Sequence, residues 1–325
     1  MISSFYNAVI CENFGSINNL KIKKIQSKKL QNNEVRINVK ACGINFPDKL
    51  MVEGKYQLKP ILPFTPGMEV SGIITETNSS KFKVGTKIIA HMRYGGFSEE
   101  VIVNQEYLRI IPKSFTFEEA AGFSVAAQTA YVSLVERANI KPNQTLLILG
   151  ATGGVGLAAI QLAVTIGAKV IAICSNKIKQ NAAIKAGAKY AFNYREMINK
   201  VKEVTHNKGV DIIYDPIGGE YFTKSLKVIK WGGKVLIIGF ASGDIPSLPT
   251  NYALIKGISL LGVRAGEYFR KFPDKKEPAL NNLFKIANTG KITPFIYESH
   301  SLSKVIEALK KIEQRKVIGR IILKP

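Results

Sequence analysis

Two stretches of this chain carry residue types and spacings suited to binding anions. In LLILGATGGVGLAAIQLA, an apolar run (145–149) enters a glycine cluster and leaves it as a helical pattern. Aligned on the strand end, the cluster reads Ala151-x-Gly153-x-x-Gly156, with alanine in the first position of a GxGxxG spacing. The second position lets backbone approach a pyrophosphate held at the positive N-terminus of the next helix, and the third lets helix and strand pack closely. Gly153, Gly154 and Val155 are therefore the candidate pyrophosphate contacts. A lone glycine pattern is weak, and its strand–turn–helix setting is what gives it weight. Further on, AICSNKIKQ ends a second apolar run at Cys174. A fold that reads NAD places a carboxylate near here, against the ribose 2′-hydroxyl. This chain offers Ser175, Lys177 and Lys179 instead, which suits an added anion.

The elements that must position these residues follow from the apolar pattern. Runs at 145–149, 169–174, 210–215, 234–239 and 258–263 alternate with helical patterns, and 190–192 is a short strand between the second and third. Near-continuous apolar strands imply burial on both faces, hence a parallel sheet covered by helices. The first third reads differently. EVRINVKA (34–41) places Val35, Ile37 and Val39 on one face of a half-buried strand, and VSGIITET, TKIIAHM and FSEEVIV continue the alternation. Thr116 and Glu119 have capping-box spacing, so a helix begins there, and a longer helix is expected over 124–138. The tail (276–325) holds two helical patterns and a last strand, RIIL.

A length of 325 residues suits two domains, and 46% hydrophobic residues is an ordinary globular content. The start, MISSFYNAVICENFG, lacks a basic segment followed by an apolar core, so no secretory signal is expected. No apolar stretch approaches the ~18 residues of a membrane span. Cys11, Cys42 and Cys174 are far apart and lack CxxC spacing, which argues against a disulfide framework or a cysteine-based zinc site. The cytoplasm is the expected location, with no membrane partner. A formal charge of +22 raises the question of a nucleic-acid or anionic membrane surface. The lysines are scattered through every segment, however, and the aromatics form no stacking platform among them. No nucleic-acid partner is expected.

The segments ACGINFPD, PFTPGMEVSG, AAQTAY, GATGGVG, NYRE, YDPIGG and WGGKVLIIGFASG occur in this order along almost the whole chain. Together they resemble the medium-chain dehydrogenase/reductase superfamily, in its zinc-free NADPH:quinone oxidoreductase family. The resemblance implies an α/β fold with a discontinuous GroES-like, β-rich catalytic domain (1–123 and 265–325). An inserted Rossmann cofactor domain (124–264), a doubly wound parallel sheet, interrupts it. It further implies that Ser175, Lys179 and Tyr194 hold the 2′-phosphate of NADPH, with the nicotinamide near Asn45 and Thr129. The carboxamide would lie against backbone at Gly239, Phe240 and Ala241, and Arg315 matches a basic position on the cofactor side. Relatives pair the strand at 258–263 across a two-fold axis, so a homodimer is expected; a bare sheet edge is hazardous unless covered.

Asn45 and Tyr56 are the catalytic candidates. Tyr56 matches a tyrosine near the cleft that serves as proton donor in related enoyl-thioester reductases. A phenol with a pKa of ~10 is protonated at neutral pH and can donate to a developing enolate. Its ring could equally be a wall of the substrate site. Zinc-dependent relatives carry a Cys-His pair where this chain has Asn45 and Phe46, and a Gly-His-Glu where it has Met68 before Glu69. They also carry a four-cysteine lobe that is missing here. A catalytic zinc needs three nitrogen, sulfur or carboxylate ligands and an open position. Cys42 reads as a small buried strand residue, Asp48 as a brace for its loop, and His91, His206 and His300 show no metal spacing. No metal is expected. Without zinc, polarising an alcohol for oxidation is difficult, whereas reducing an electron-poor acceptor stays feasible. The expected activity is hydride transfer from NADPH to a quinone or similar activated conjugated carbonyl, a small-molecule electron acceptor. An enoyl-thioester or alkenal/enone reductase on the same fold is the alternative. A non-catalytic nucleotide-sensing or nucleic-acid-binding protein is a second one. GVRAGEYF (262–269) departs from the aromatic-rich form usual in close relatives.

Overall fold

A computed structural model describes residues 5–325; residues 1–4, where the reading of the N-terminus begins, lie outside the described part. The chain divides into two compact units, one made of residues up to Val125 together with Thr293–Pro325, the other of Ala126–Ile292.

The first unit opens with the antiparallel pair β1 (Phe5–Ile10), buried from Ala8 to Ile10, and β2 (Lys21–Gln26), whose lysines are exposed. β3 (Glu34–Gly43) follows, then α1 (Phe46–Val52), β4 (Glu69–Thr77), β5 (Lys87–His91), β6 (Glu100–Asn104), β7 (Leu108–Ile110) and α2 (Phe117–Ala121). Val35, Ile37 and Val39 are buried, as the alternation requires, and join Ile74, Ile88, Phe97 and Leu108 in one core. Each such side chain contributes about 1.5–3 kcal/mol through burial. The opposite face of β3 buries Arg36, which is affordable because its guanidinium meets Glu76 at 2.8 Å and Glu100 at 2.5 Å. Thr116 caps α2, with the Glu119 carboxylate accepting the Thr116 N–H at 2.7 Å.

α3 (Ser124–Tyr131) leads from the first unit into the second and passes into a π-helical turn at 132–137. One α-helix was expected over 124–138. The widening has a local cause, since the Ser133 hydroxyl donates to the Thr129 carbonyl at 2.6 Å and the Ala138 amide donates back five residues to the Ser133 carbonyl. Next come β8 (Thr145–Ile148), α4 (Gly154–Ile166), β9 (Lys169–Cys174), α5 (Lys177–Lys185), β10 (Tyr190–Asn193) and α6 (Met197–Val204). The series ends with β11 (Val210–Asp215), α7 (Gly219–Ser225), β12 (Ile229–Ile237), α8 (Thr250–Lys256), β13 (Ser259–Gly262), α9 (Ala265–Lys271) and α10 (Pro273–Asn288). The strands form one parallel sheet in the order β10-β9-β8-β11-β12-β13. The order reverses beside β8, so the carboxyl ends of β8 and its neighbours form the crevice where such sheets bind ligands.

β14 (Ile296–Ser301), α11 (Val305–Glu313) and β15 (Arg320–Lys324) return to the first unit. β3 pairs along one edge with β4, while its other edge is divided between β6 and the last strand, β15. The sheet runs β14-β15-β3-β4-β5-β7, with β6 on β3.

The boundary expected at 265 falls elsewhere. Residues 265–292 belong to the parallel-sheet unit because polar contacts anchor α9 and α10 there. Tyr268 donates to Glu136 at 2.8 Å, Lys275 reaches the same carboxylate at 3.3 Å, and Asn282 meets the Tyr131 hydroxyl at 3.4 Å.

Candidate functional site

In the parallel-sheet unit, the backbone turns away from β8 at Gly150, whose φ of +58° is open to glycine and strained for other residues. A Cβ on Gly156 would stand 2.6 Å from the Ala151 carbonyl, so only glycine lets α4 pack this closely on the loop. A Cβ on Gly153 would meet nothing nearer than the Gly150 carbonyl, at 3.6 Å. Space is therefore open over the start of α4, where Gly153 supplies no side-chain cap to the helix's first N–H groups. These donors and this space fit a pyrophosphate.

Beside the loop, Asn193 donates to the Ser175 carbonyl at 3.0 Å and ties the end of β10 to the end of β9. Tyr194 follows directly, and its hydroxyl oxygen accepts the Gly150 N–H at 2.8 Å. Burial holds the phenol well above its usual pKa, so it remains protonated and keeps a hydrogen to donate. Ser175 is exposed, while Lys179 lies half-buried in the first turn of α5. That turn holds Lys177 and Lys179 and no acid, so two cations face the positive end of a helix. Burial lowers the pKa of Lys179. An anion docked here would relieve both penalties.

The far wall of the crevice follows β11 and β12. The buried Asp215 carboxylate accepts the Ile217 and Gly218 N–H groups at 2.7 and 2.9 Å, and burial raises its pKa. The Gly239 and Ala241 amides are spent on the Asp215 and Pro216 carbonyls, at 3.4 and 3.0 Å. A carboxamide meeting backbone at Gly239, Phe240 or Ala241 therefore meets carbonyl oxygens or the Phe240 amide. Thr129 is half-buried on α3, just before the π-helical turn.

The β-rich unit places Asn45 in a buried polar cluster that also holds Asp48, Glu69 and Arg320. Arg320 donates to Asn45 Oδ1 at 2.8 Å and forms an ion pair with Glu69. A guanidinium only donates, so the amide oxygen must face it, and Asn45 Nδ2 turns to Glu69 Oε1 at 2.9 Å and the Gly43 carbonyl at 3.4 Å. Both amide hydrogens are thus committed. Glu69 Oε2 accepts the Val125 N–H at 2.9 Å. Asp48 braces the start of α1 by accepting the Asn45 N–H at 2.7 Å and the Gly67 N–H at 3.2 Å. Burial pushes the Asp48 carboxyl up to about 7, with Glu69 adding to the rise while the two amides and Arg320 oppose it.

Sequence reasoning passed over Arg320 and gave Glu69 no role. The available signal was an arginine opening an otherwise apolar strand, RIIL, which has to find a partner inside. Tyr56 is half-buried against the core, with its N–H on the Leu50 carbonyl at 3.1 Å. Arg315 is exposed in the turn after α11, at a φ of +56°.

Comparison with known proteins agrees with this architecture. Residues 31–136 match the alcohol dehydrogenase GroES-like domain, and residues 154–283 match the family described as zinc-binding dehydrogenase. The chain is 38% identical over 326 residues to a quinone oxidoreductase-like protein 2 homolog of Nematostella vectensis, covering 98% of this chain and 88% of the relative. The crystal structure of Escherichia coli quinone oxidoreductase complexed with NADPH superposes with a TM-score of 0.89 at 27% identity, over 98% of this chain and all of the other. The CurK enoyl reductase superposes with a TM-score of 0.89 at 26% identity, over 98% of this chain and 99% of the other. The chain belongs to the quinone oxidoreductase family of the medium-chain dehydrogenase/reductase superfamily, with a GroES-like domain and a Rossmann domain.

The zinc in one of those family descriptions does not fit the side chains present. Among the described residues, no three His, Cys, Asp or Glu side chains gather where they could hold a metal. Glu69 is paired with a guanidinium, and the Asp48 oxygens are taken by backbone amides. Cys42 is fully buried with its thiol on the Gly96 carbonyl at 2.8 Å, and burial raises its pKa far above neutrality, away from the thiolate that binds zinc.

Proposed function

We propose that this protein is a zinc-independent, NADPH-dependent reductase that passes hydride to a quinone or a similarly activated conjugated carbonyl, and works in the cytoplasm. The observation that carries the reading is the end of β9. Ser175 and Lys179 stand where a carboxylate would select NADH, beside a Tyr194 phenol kept protonated by burial. NADPH, when bound, supplies the hydride. The chain's part is to hold the pyrophosphate on Gly153, Gly154 and Val155, the 2′-phosphate on Ser175, Lys179 and Tyr194, and the nicotinamide end near Thr129 and Gly239–Ala241. The fold provides orientation and the cofactor the difficult chemistry.

An enoyl-thioester or enone reductase is the second reading, favoured by Tyr56 and by the likeness to an enoyl reductase. An enone that accepts hydride needs a proton at carbon or oxygen, whereas a reduced quinone can take its protons from water. Three acceptors with NADPH (a naphthoquinone, an enone and a crotonyl thioester) separate the two readings. The quinone is expected to be reduced fastest. Tyr56→Phe is expected to slow enone reduction by ~10²–10⁴ and to spare the quinone, the usual loss when a positioned acid is removed. Equal rates in Tyr56→Phe and wild type for every acceptor would make Tyr56 a wall. NADPH binding without turnover of any acceptor would refute the enzymatic reading.

We also infer a homodimer paired along β13. That strand ends the sheet, and Leu260 is 43% exposed, with Leu254 82% and Trp231 75% exposed nearby on α8 and β12. An apolar edge of this kind is hazardous in a lone subunit. Light scattering at micromolar concentration should give twice the 35.8 kDa chain mass. A single-chain mass would sink the assignment.

A further inference from the structure

We propose that Tyr221 is a positioning residue for cofactor choice, holding Tyr194 so that a single phenol both fixes the glycine loop and presents a donor to the 2′-phosphate. The inference rests on the NADPH reading above.

The Tyr194 ring packs against the apolar core of its unit, while the backbone that carries it lies at the margin of the sheet. Tyr194 follows β10, a four-residue strand at the end of the sheet in which every residue is only partly buried, and Arg195 and Glu196 after it are exposed. Its ring packs on Tyr221, centroid to centroid at 4.1 Å with 41° between the planes. Tyr221, by contrast, is well anchored. It sits on α7 next to Phe222, which is 2% exposed, and the start of that helix is fixed by the Gly219 N–H on the Asp244 carbonyl at 3.1 Å. Lys224 stands 5.2 Å from the Tyr221 ring centroid and is itself held by Glu220 at 2.6 Å. Position therefore passes from a packed helix, through one ring to another, to the Gly150 amide.

The Tyr194 hydroxyl has two tasks that use different atoms. Its oxygen accepts from Gly150, and its hydrogen is left to donate. Accepting an N–H polarises the O–H and makes it a better donor. NADH has no group for that hydrogen at the 2′ position; NADPH has a phosphate. Loosening Tyr194 should therefore cost NADPH more than NADH.

The test is calorimetric binding of NADPH and NADH, at one salt concentration, to wild type, Tyr221→Ala, Tyr221→Leu, Tyr221→Phe and Tyr194→Phe. An aromatic contact of this type carries about a 3- to 10-fold effect on an equilibrium. Tyr221→Ala and Tyr221→Leu should weaken NADPH by that factor and NADH by less than about 2-fold. Leucine keeps apolar bulk in case alanine unfolds the helix. Tyr221→Phe keeps the ring and should bind both cofactors as wild type does. Combined with Tyr194→Phe, Tyr221→Ala should add no further loss, because the hydroxyl it positions is already gone. An unchanged NADPH affinity in Tyr221→Ala and Tyr221→Leu, or equal losses for both cofactors, overturns the proposal and leaves the NADPH reading intact. A wild type without preference for NADPH overturns that reading, and this inference with it.

Discussion

Arg320→Met is expected to destabilise the folded chain by about 3–5 kcal/mol, the cost of stripping one partner from a buried ion pair. The charge left behind is Glu69, which is 0% exposed, and the same substitution removes the Arg320 donor from the Asn45 amide oxygen. Glu69→Gln should also destabilise, since it leaves a guanidinium in the core and cannot replace the charge. The two changes together should cost clearly less than their sum, because a methionine and an amide leave no net charge to solvate. Urea denaturation of the four proteins measures the cycle. Strict additivity, or an Arg320→Met variant as stable as wild type, would show that the cluster is solvated in a way its geometry does not indicate.

The second large effect concerns the end of β9. Lys179→Ala should weaken NADPH roughly 10- to 150-fold, because a charge-assisted hydrogen bond is worth about 1.5–3 kcal/mol. NADH should scarcely respond, having no phosphate to lose. Ser175→Asp should go further, repelling the 2′-phosphate while offering the NADH ribose a carboxylate. Surface charge is screened, so both cofactors are to be compared at one fixed ionic strength. Equal wild-type affinities, or a Lys179→Ala loss shared by NADH, would reduce the lysine to a solvated helix residue.

The parallel-sheet unit was legible in the sequence because its strands are short apolar runs and its glycine loop has a spacing with one physical use. Elements that lack such a signal stayed hidden. β2 is rich in exposed lysine, its partner β1 buries only the short run Ala8–Ile10, and β14 alternates without a strong apolar face. The boundary at 265 differs from the structure's because the polar contacts that tie α9 and α10 to Glu136 and Tyr131 are announced by no periodicity. Within the site, Asn45 and Asp48 were found through the resemblance of the ACGINFPD loop to the family's. Their partner Arg320 lies 275 residues from Asn45, and pairing over such a distance is decided by strand topology. The Tyr194–Tyr221 contact was hidden for the same reason.

That 275-residue separation also sets an order of events during synthesis. Closing an unfolded loop of this length costs about 5 kcal/mol of chain entropy on the logarithmic scaling. The parallel-sheet unit lies wholly within the loop and buries its own core. Once folded, it brings Tyr131, near its beginning, within hydrogen-bonding reach of Asn282, near its end. The search that remains is then short, spanning only the segments that lead into and out of the insert. The β-rich unit, most of which is synthesised before the insert, is expected to be completed last, when β15 docks on β3.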